Sequence, residues 1–361
     1  MVCEHRGMGA SLETTPASHA AGRHARRSPH LTAGLAMILA ACLAACGGSD
    51  AEPIGPAGTV IVLEFRGLRA LDPEREGRYG VWIVDARDQR HYAGELKLSA
   101  SGTAEVETPV PNGVAIEITL EPPGGGSSTT PLRLLHGRFS NGRATLSIEG
   151  AVTAGNQPLR RRPGQFTMFT PSNNWRDGYP SAEEAGIWLF NMAPRETEQN
   201  DQWVRLTPLR PGWVYEGWMV RDIDSPGAIW LSYGKFLPDA GGAVNSRDDT
   251  GWGPFSGVVD FRTAGEEDYP GDDWISNPLG FPWPSELPLP LDLREKTPSG
   301  EFRWTHVITI EPAFDQGEPI GSERPFLIRP YRDPFGDGGP GVPRSITFRE
   351  DGVPSGTARV R

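Results

Sequence analysis

Cysteine is nearly absent: three occur in 361 residues, Cys3, Cys42 and Cys46, so residues 47 to 361 hold neither a disulfide framework nor a thiolate metal site. Histidine is almost as scarce beyond the first 45 residues. His91, His136 and His306 stand alone, with no second ligand at zinc spacing. No G-x-S-x-G elbow, Walker loop or H-E-x-x-H helix occurs, which excludes the hydrolase, nucleotidase and metalloprotease chemistries those motifs carry. The glycine-rich stretches "GPAG", "PPGGGSS" and "GDGGPG" do not join a strand to a periodic helix, as a phosphate cradle would. After Ala45 no stretch keeps apolar residues at helical spacing for three turns. Positive charge is also in short supply. The net charge is −11, and setting aside residues 1–45, with four arginines and two glutamates, takes it to −13. A charge of that sign repels phosphate backbones and excludes nucleic acid as a partner.

What is present is punctuation and short strands. The 45 glycines and 35 prolines separate runs rich in Val, Ile, Thr, Phe and Trp: 59–65, 114–121, 143–149, 164–170, 186–190 and 306–311. In "RATLSIE" (143–149), Ala144, Leu146 and Ile148 share one face while Thr145 and Ser147 share the other, the period of a half-buried strand. The expected fold class is all-β, with two tandem antiparallel β-sandwich domains.

The tandem reading rests on an internal echo. "YGVWIVD" at Tyr79–Asp85 returns as "YEGWMVR" at Tyr215–Arg221. "AGEL" (93–96) returns as "YGKF" (233–236), "IEITLEP" (116–122) as "HVITIEP" (306–312), and "PLRLL" (131–135) as "PFLIR" (325–329). Gly94 to Pro122 spans 28 residues and Gly234 to Pro312 spans 78, so the second copy carries an insertion of about fifty residues in a loop, where extra chain costs little closure entropy. Tyr79, Trp82, Tyr215 and Trp218 are the expected structural anchors. Tyrosine and tryptophan three apart on a strand point to opposite faces, one into the sandwich and one onto its outer surface.

Two resemblances add to this. Arg23, His24, Arg26 and Arg27 precede an uncharged apolar run, Leu31–Ala45, of 15 residues, shorter than the ~20 of a membrane span. Its end, "LAACLAACGGSD", resembles the bacterial lipoprotein signal, in which a cysteine after small residues takes a diacylglycerol and an acyl chain. Cys46 is the preferred lipidation site because Gly47, Gly48 and Ser49 follow as a flexible tether, and Cys42 is the alternative. This implies an extracytoplasmic, membrane-anchored protein of the bacterial cell envelope whose first partner is membrane lipid. Separately, "Y-x-x-W-x-V" followed by "ITLEPPGGGSSTTP", within residues 59–138, resembles the extracytoplasmic C-terminal domain of anti-sigma-K factors. The chain has neither the cytoplasmic helical domain nor the transmembrane helix of that family, so the resemblance implies the fold and no direct sigma-factor contact.

The expected organisation is a signal peptide (1–45), a tether (46–57), a first sandwich (58–150), a linker (151–165), a second sandwich (166–350) with an insertion at about 237–300, and a tail (351–361). The arginines of "PLRRRPG" (158–164) read as a solvated hinge or as a contact to anionic headgroups. The insertion is acidic and rich in tryptophan. Asp248, Asp249, Glu267, Asp268, Asp272 and Asp273, with Trp252 and Trp274, are the candidate ligand-binding residues. They suit Ca²⁺, which takes six to eight hard oxygens, or a glycan, unless the loop simply packs its tryptophans on the sandwich. No catalytic residue and no obligatory cofactor is expected. The expected function is a non-catalytic, lipid-anchored module presenting a protein-binding or sensing surface to an envelope protein. The alternative is the Ca²⁺- or glycan-binding module.

Overall fold

Alternating Val, Ile, Leu and Thr residues produce fifteen strands among the described residues of this computed structural model, which are 54–123, 132–168, 187–188, 204–238, 284–288, 291–313, 325–337 and 342–361. No α-helix occurs among them. The first copy supplies β1 (Val60–Arg66), β2 (Arg78–Asp85), β3 (Arg90–Glu95), β4 (Thr103–Glu107), β5 (Gly113–Glu121), β6 (Leu132–Arg138) and β7 (Arg143–Leu146). The second supplies β8 (Gly164–Met168), β9 (Ile187–Trp188), β10 (Trp213–Arg221), β11 (Ile229–Phe236), β12 (Trp304–Pro312), β13 (Ile328–Pro334) and β14 (Arg344–Ile346). The final strand is β15 (Ser355–Val360). Each of the six runs read as strands from sequence overlaps one of these elements. The all-β, antiparallel sandwich class is therefore observed.

The duplication is visible in the pairing. One sheet runs β3-β2-β5-β6 and its counterpart runs β11-β10-β12-β13. Both contain a bulge directly before the motif tryptophan, between Val81 and Trp82 in one and between Gly217 and Trp218 in the other. The last landmark, however, is offset by two residues from the sequence alignment. Leu132 faces Leu120 and Ile328 faces Ile310, so Leu132 matches Ile328, and Arg133 matches Arg329. A shift of two keeps every side chain on the same face, so alternation alone could not distinguish the registers.

The cores interlock. Ile61, Leu63, Tyr79, Val81, Ile116, Ile118 and Leu120 of the first copy belong to the same buried cluster as Trp213, Tyr215, Leu231, Tyr233, Ile308 and Ile310 of the second. Every residue of β5 and of β12 is buried, as expected of central strands covered on both faces. Residues 50–361 form one compact unit.

Three boundaries differ from expectation. The tether expected over 46–57 does not reach residue 57, because Ile54 is buried in the shared core, its N–H donates to Gly113 O, and Gly55 O accepts from Asn112 N–H. Residues 351–361 are not a tail. They continue from the 3-10 turn Glu350–Gly352 into β15, which lies between β1 and β7 in the sheet β4-β1-β15-β7. In the second copy the corresponding strands, β8 and β14, pair directly. The physical reason β15 escaped notice is its small inward residues: Gly356 lies against the Phe65 ring, leaving room for nothing larger, and Ala358 is buried. Residues 151–165 are likewise packed. Ala151, Val152 and Leu159 are buried, Arg210 N–H donates to Val152 O, and Arg205 N–H donates to Pro163 O. Within the insertion, Leu287, Leu291 and Leu293 enter the shared core, and Glu295 pairs with both Arg221 and Arg303.

Core substitutions between copies are compensatory. Where the first copy has Val81, Ala93 and Ile116, the second has Gly217, Tyr233 and His306. A Cβ on Gly217 would lie inside the Tyr233 ring, so the glycine lets that ring cross the sheet. Tyr233 Oη and His306 Nε2 then share a hydrogen bond of 2.9 Å, and the imidazole edge meets Phe166 with centroids 4.2 Å apart. Burial holds His306 neutral and lowers its pKa to about 3. The unfolded chain takes up this proton near pH ~6.5. Stability from this group is therefore complete above that pH and falls as the pH drops towards 3, by about 1.4 kcal/mol per pH unit. His136, lowered to about 4 by burial and then by Arg133, Arg138, Arg210 and Arg90, acts in the same direction. Denaturant midpoints measured from neutral pH down towards pH 4 should fall steadily, with a shallower slope in His306→Gln. An unchanged slope in that variant would contradict the assignment.

Candidate ligand groove

The outward faces of the two matched sheets begin from one polar design. Trp82 Nε1 donates to Thr119 Oγ1 at 3.0 Å, and Trp218 Nε1 donates to Thr309 Oγ1 at 2.8 Å. Glu121 accepts from the Thr119 hydroxyl at 2.8 Å, and the matching Glu311 accepts the Phe326 N–H with both oxygens, at 3.0 and 2.8 Å. The tyrosines take the opposite side: Tyr79 and Tyr215 are buried in the shared core. Trp218 sits in a separate outer cluster with Val220 and Val307, packed against Ile223, Ala228 and Trp230. Trp82 remains half-buried under the exposed Tyr92, with ring centroids 5.0 Å apart.

From this design the faces differ at two positions around one shared arginine. In the first copy Glu117 is buried between two arginines, with Arg90 Nε 2.9 Å from Oε2 and Arg133 Nε 3.2 Å from Oε1. Burial raises the pKa of Glu117 while Arg133 and Arg90 oppose the rise. In the second copy the position of Glu117 is Val307, that of Arg90 is Trp230, and that of Arg133 is Arg329. Arg329 thus keeps its cation where the internal carboxylate has been lost. Its guanidinium lies over the Trp230 ring, 4.7 Å from the centroid. Its Nε donates to Phe326 O at 3.1 Å and its Nη2 to Pro325 O at 3.2 Å. Among the described residues no carboxylate forms an ion pair with it. Burial lowers its pKa, and Glu311 partly offsets this.

Arg329 lines a cavity of about 460 Å³, within the ~300–1,000 Å³ typical of small-molecule sites. The loop after β1 forms one wall through Leu68 and Arg69, and the β10–β11 turn contributes Ile223 and Asp224. Arg332 of β13 and Arg349 beside the 3-10 turn complete a lining of four arginines against two aspartates, Asp224 and Asp351. Three of the four have partners: Arg69 pairs with Glu76, Arg349 with Asp333 at 3.3 Å, and Arg332 lies 3.8 Å from Asp224. The hydrogen bond from Arg69 lowers the pKa of Glu76. In an acidic protein this is a local concentration of cations around one guanidinium that has no carboxylate ion pair among the described residues.

The other sequence candidates fall elsewhere. Asp248, Asp249, Trp252, Glu267, Asp268, Asp272, Asp273 and Trp274, as well as Cys42 and Cys46, lie outside the described residues. Among the described residues no group of three or more His, Cys, Asp or Glu side chains could hold a metal ion. Arg161 of the arginine run pairs with Glu350 and lies 5.2 Å from the Phe348 ring centroid, at an exposed site. Sequence reasoning missed Trp230 and Arg329. The signal was the retained arginine facing a lost glutamate, readable only with the two-residue offset in register.

No protein-family profile matches the chain, and neither a curated protein nor a solved structure matches it.

Proposed function

We propose that this is a lipid-anchored, non-catalytic protein of the bacterial cell envelope. In this reading acyl chains on Cys46 hold it at the membrane, and the duplicated β-scaffold presents a binding or sensing surface. The observation that carries the reading is the unequal divergence of two equivalent faces. One holds an Arg90–Glu117–Arg133 cluster in which an internal carboxylate lies between two guanidiniums, while the other has Val307 in place of the glutamate and borders a groove. A scaffold copied twice and altered on one face is what a binding module requires. The likeness of residues 59–138 to the anti-sigma-K C-terminal domain belongs to the same proposal, for the fold and not for sigma-factor control.

Metabolic labelling with a palmitate analogue tests the anchor. The expected result is a labelled, membrane-bound chain that loses both label and membrane association in Cys46→Ser and keeps them in Cys42→Ser. Membrane association retained in the double variant would overturn the proposal. Cross-linking in intact cells tests the surface, and repeated failure to recover any envelope protein would count against it.

A further inference from the structure

We infer that the groove around Arg329 binds the carboxylate group of a small organic acid. The inference deepens the proposed binding role and rests on it. Its warrant is the protein's own first copy. There the matching guanidinium, Arg133, is satisfied by the carboxylate of Glu117, with Nε to Oε1 at 3.2 Å. In the second copy the residue in that place is Val307, whose side chain lines the cavity. The second copy thus has the arginine without the internal carboxylate, and a cavity of about 460 Å³ beside it.

Arg329 is prepared for such a ligand. Two of its five N–H donors are held by Phe326 O and Pro325 O, and Trp230 supports one face of the guanidinium, so the fork is oriented before any ligand arrives. A guanidinium partly withdrawn from water gains more from an incoming carboxylate than an exposed one, since its desolvation has already been met in folding. Arg332, only loosely engaged by Asp224 at 3.8 Å, is the nearest second cation. Leu68, Ile223 and Leu327 offer apolar contact to the body of the acid.

Calorimetric titration of the full chain in detergent micelles at low ionic strength tests this with three probes: acetate, glucuronate and glucose. Acetate and glucuronate should bind at millimolar concentrations and glucose should not. Arg329→Gln should weaken carboxylate binding about tenfold or more, the range of a charge-assisted hydrogen bond. Val307→Glu, which restores the first copy's arrangement, should abolish binding by satisfying Arg329 from within. Arg133→Gln should leave binding unchanged. Should either groove variant fail to fold, the other still decides. Carboxylate binding that survives in whichever variant folds would overturn the inference, as would its absence in the unaltered chain. Equal binding of inorganic phosphate with no preference for carboxylate would do the same. A chain that is lipidated and cross-links to an envelope protein, yet takes up no carboxylate, would remove this inference and leave the proposed function standing.

Discussion

Removal of residues 354–361 is expected to abolish the folded state that the two copies share, with a loss comparable to the whole ~5–15 kcal/mol stability of a domain. β15 faces β1 over six residues, from Ile61↔Val360 to Arg66↔Ser355, and β7 over four. Without it, β1 and β7 lose their only common neighbour, and the inward Ile61, Leu63 and Leu146 face water. Each lost ladder bond costs about 0.5–1.5 kcal/mol, and burial of the exposed apolar surface is forfeited in addition. The edges of β1, seven residues, and of β7, four, would be left open, so the truncated chain should also aggregate. Far-UV circular dichroism and size-exclusion chromatography check this. A truncated chain that stays monomeric and melts as the intact one does would show β15 to be dispensable.

Trp213→Ala is expected to cost about 3–5 kcal/mol, the range for deleting a buried aromatic side chain. Trp213 opens β10, and its indole joins the copies: Nε1 donates to Arg133 O of β6 in the first copy at 3.2 Å, while the ring meets Phe326 of its own copy with centroids 5.9 Å apart. Beside it, a Cβ on Gly212 would collide with Leu132, so the chain enters β10 pressed against the first copy. The matching residue in the first copy is Gly77, where a Cβ would strike the Glu121 carbonyl. The indole that bridges the copies thus has no counterpart in the first copy. Trp213→Phe, which keeps the ring and loses the donor, should recover most of the stability.

Much of the fold was legible because it depends on period and composition. "RATLSIE" alternates, and β7 is found there. The aromatic motif repeats, and both copies show the same sheet order. The spacing of tyrosine and tryptophan put them on opposite faces without saying which enters the core; Tyr215 lies in the shared core and Trp218 in a separate outer cluster. What could not be read depends on long-range packing. "SGTARV" has little apolar surface because β15 is squeezed between two strands, so its sequence resembles a loop. The segment 151–165 carries proline and arginine and looks like a linker, but its backbone groups pair with 205–210. The groove was hidden for a third reason: Glu117 and Val307 are equivalent only through sheet register, and a two-residue offset in the flanking strand conceals that Arg133 and Arg329 match.

The central structural claim is that two diverged copies share one core and unfold together. Native-state hydrogen exchange of Trp213→Ala against the unaltered chain tests it most directly, because the substitution lies in the second copy and the readout covers both. One cooperative unit predicts that the slowest amides of β5 in the first copy and of β12 in the second lose protection by the same factor. Protection lost in β12 alone, with β5 unchanged, would contradict the account and divide the chain into independent domains.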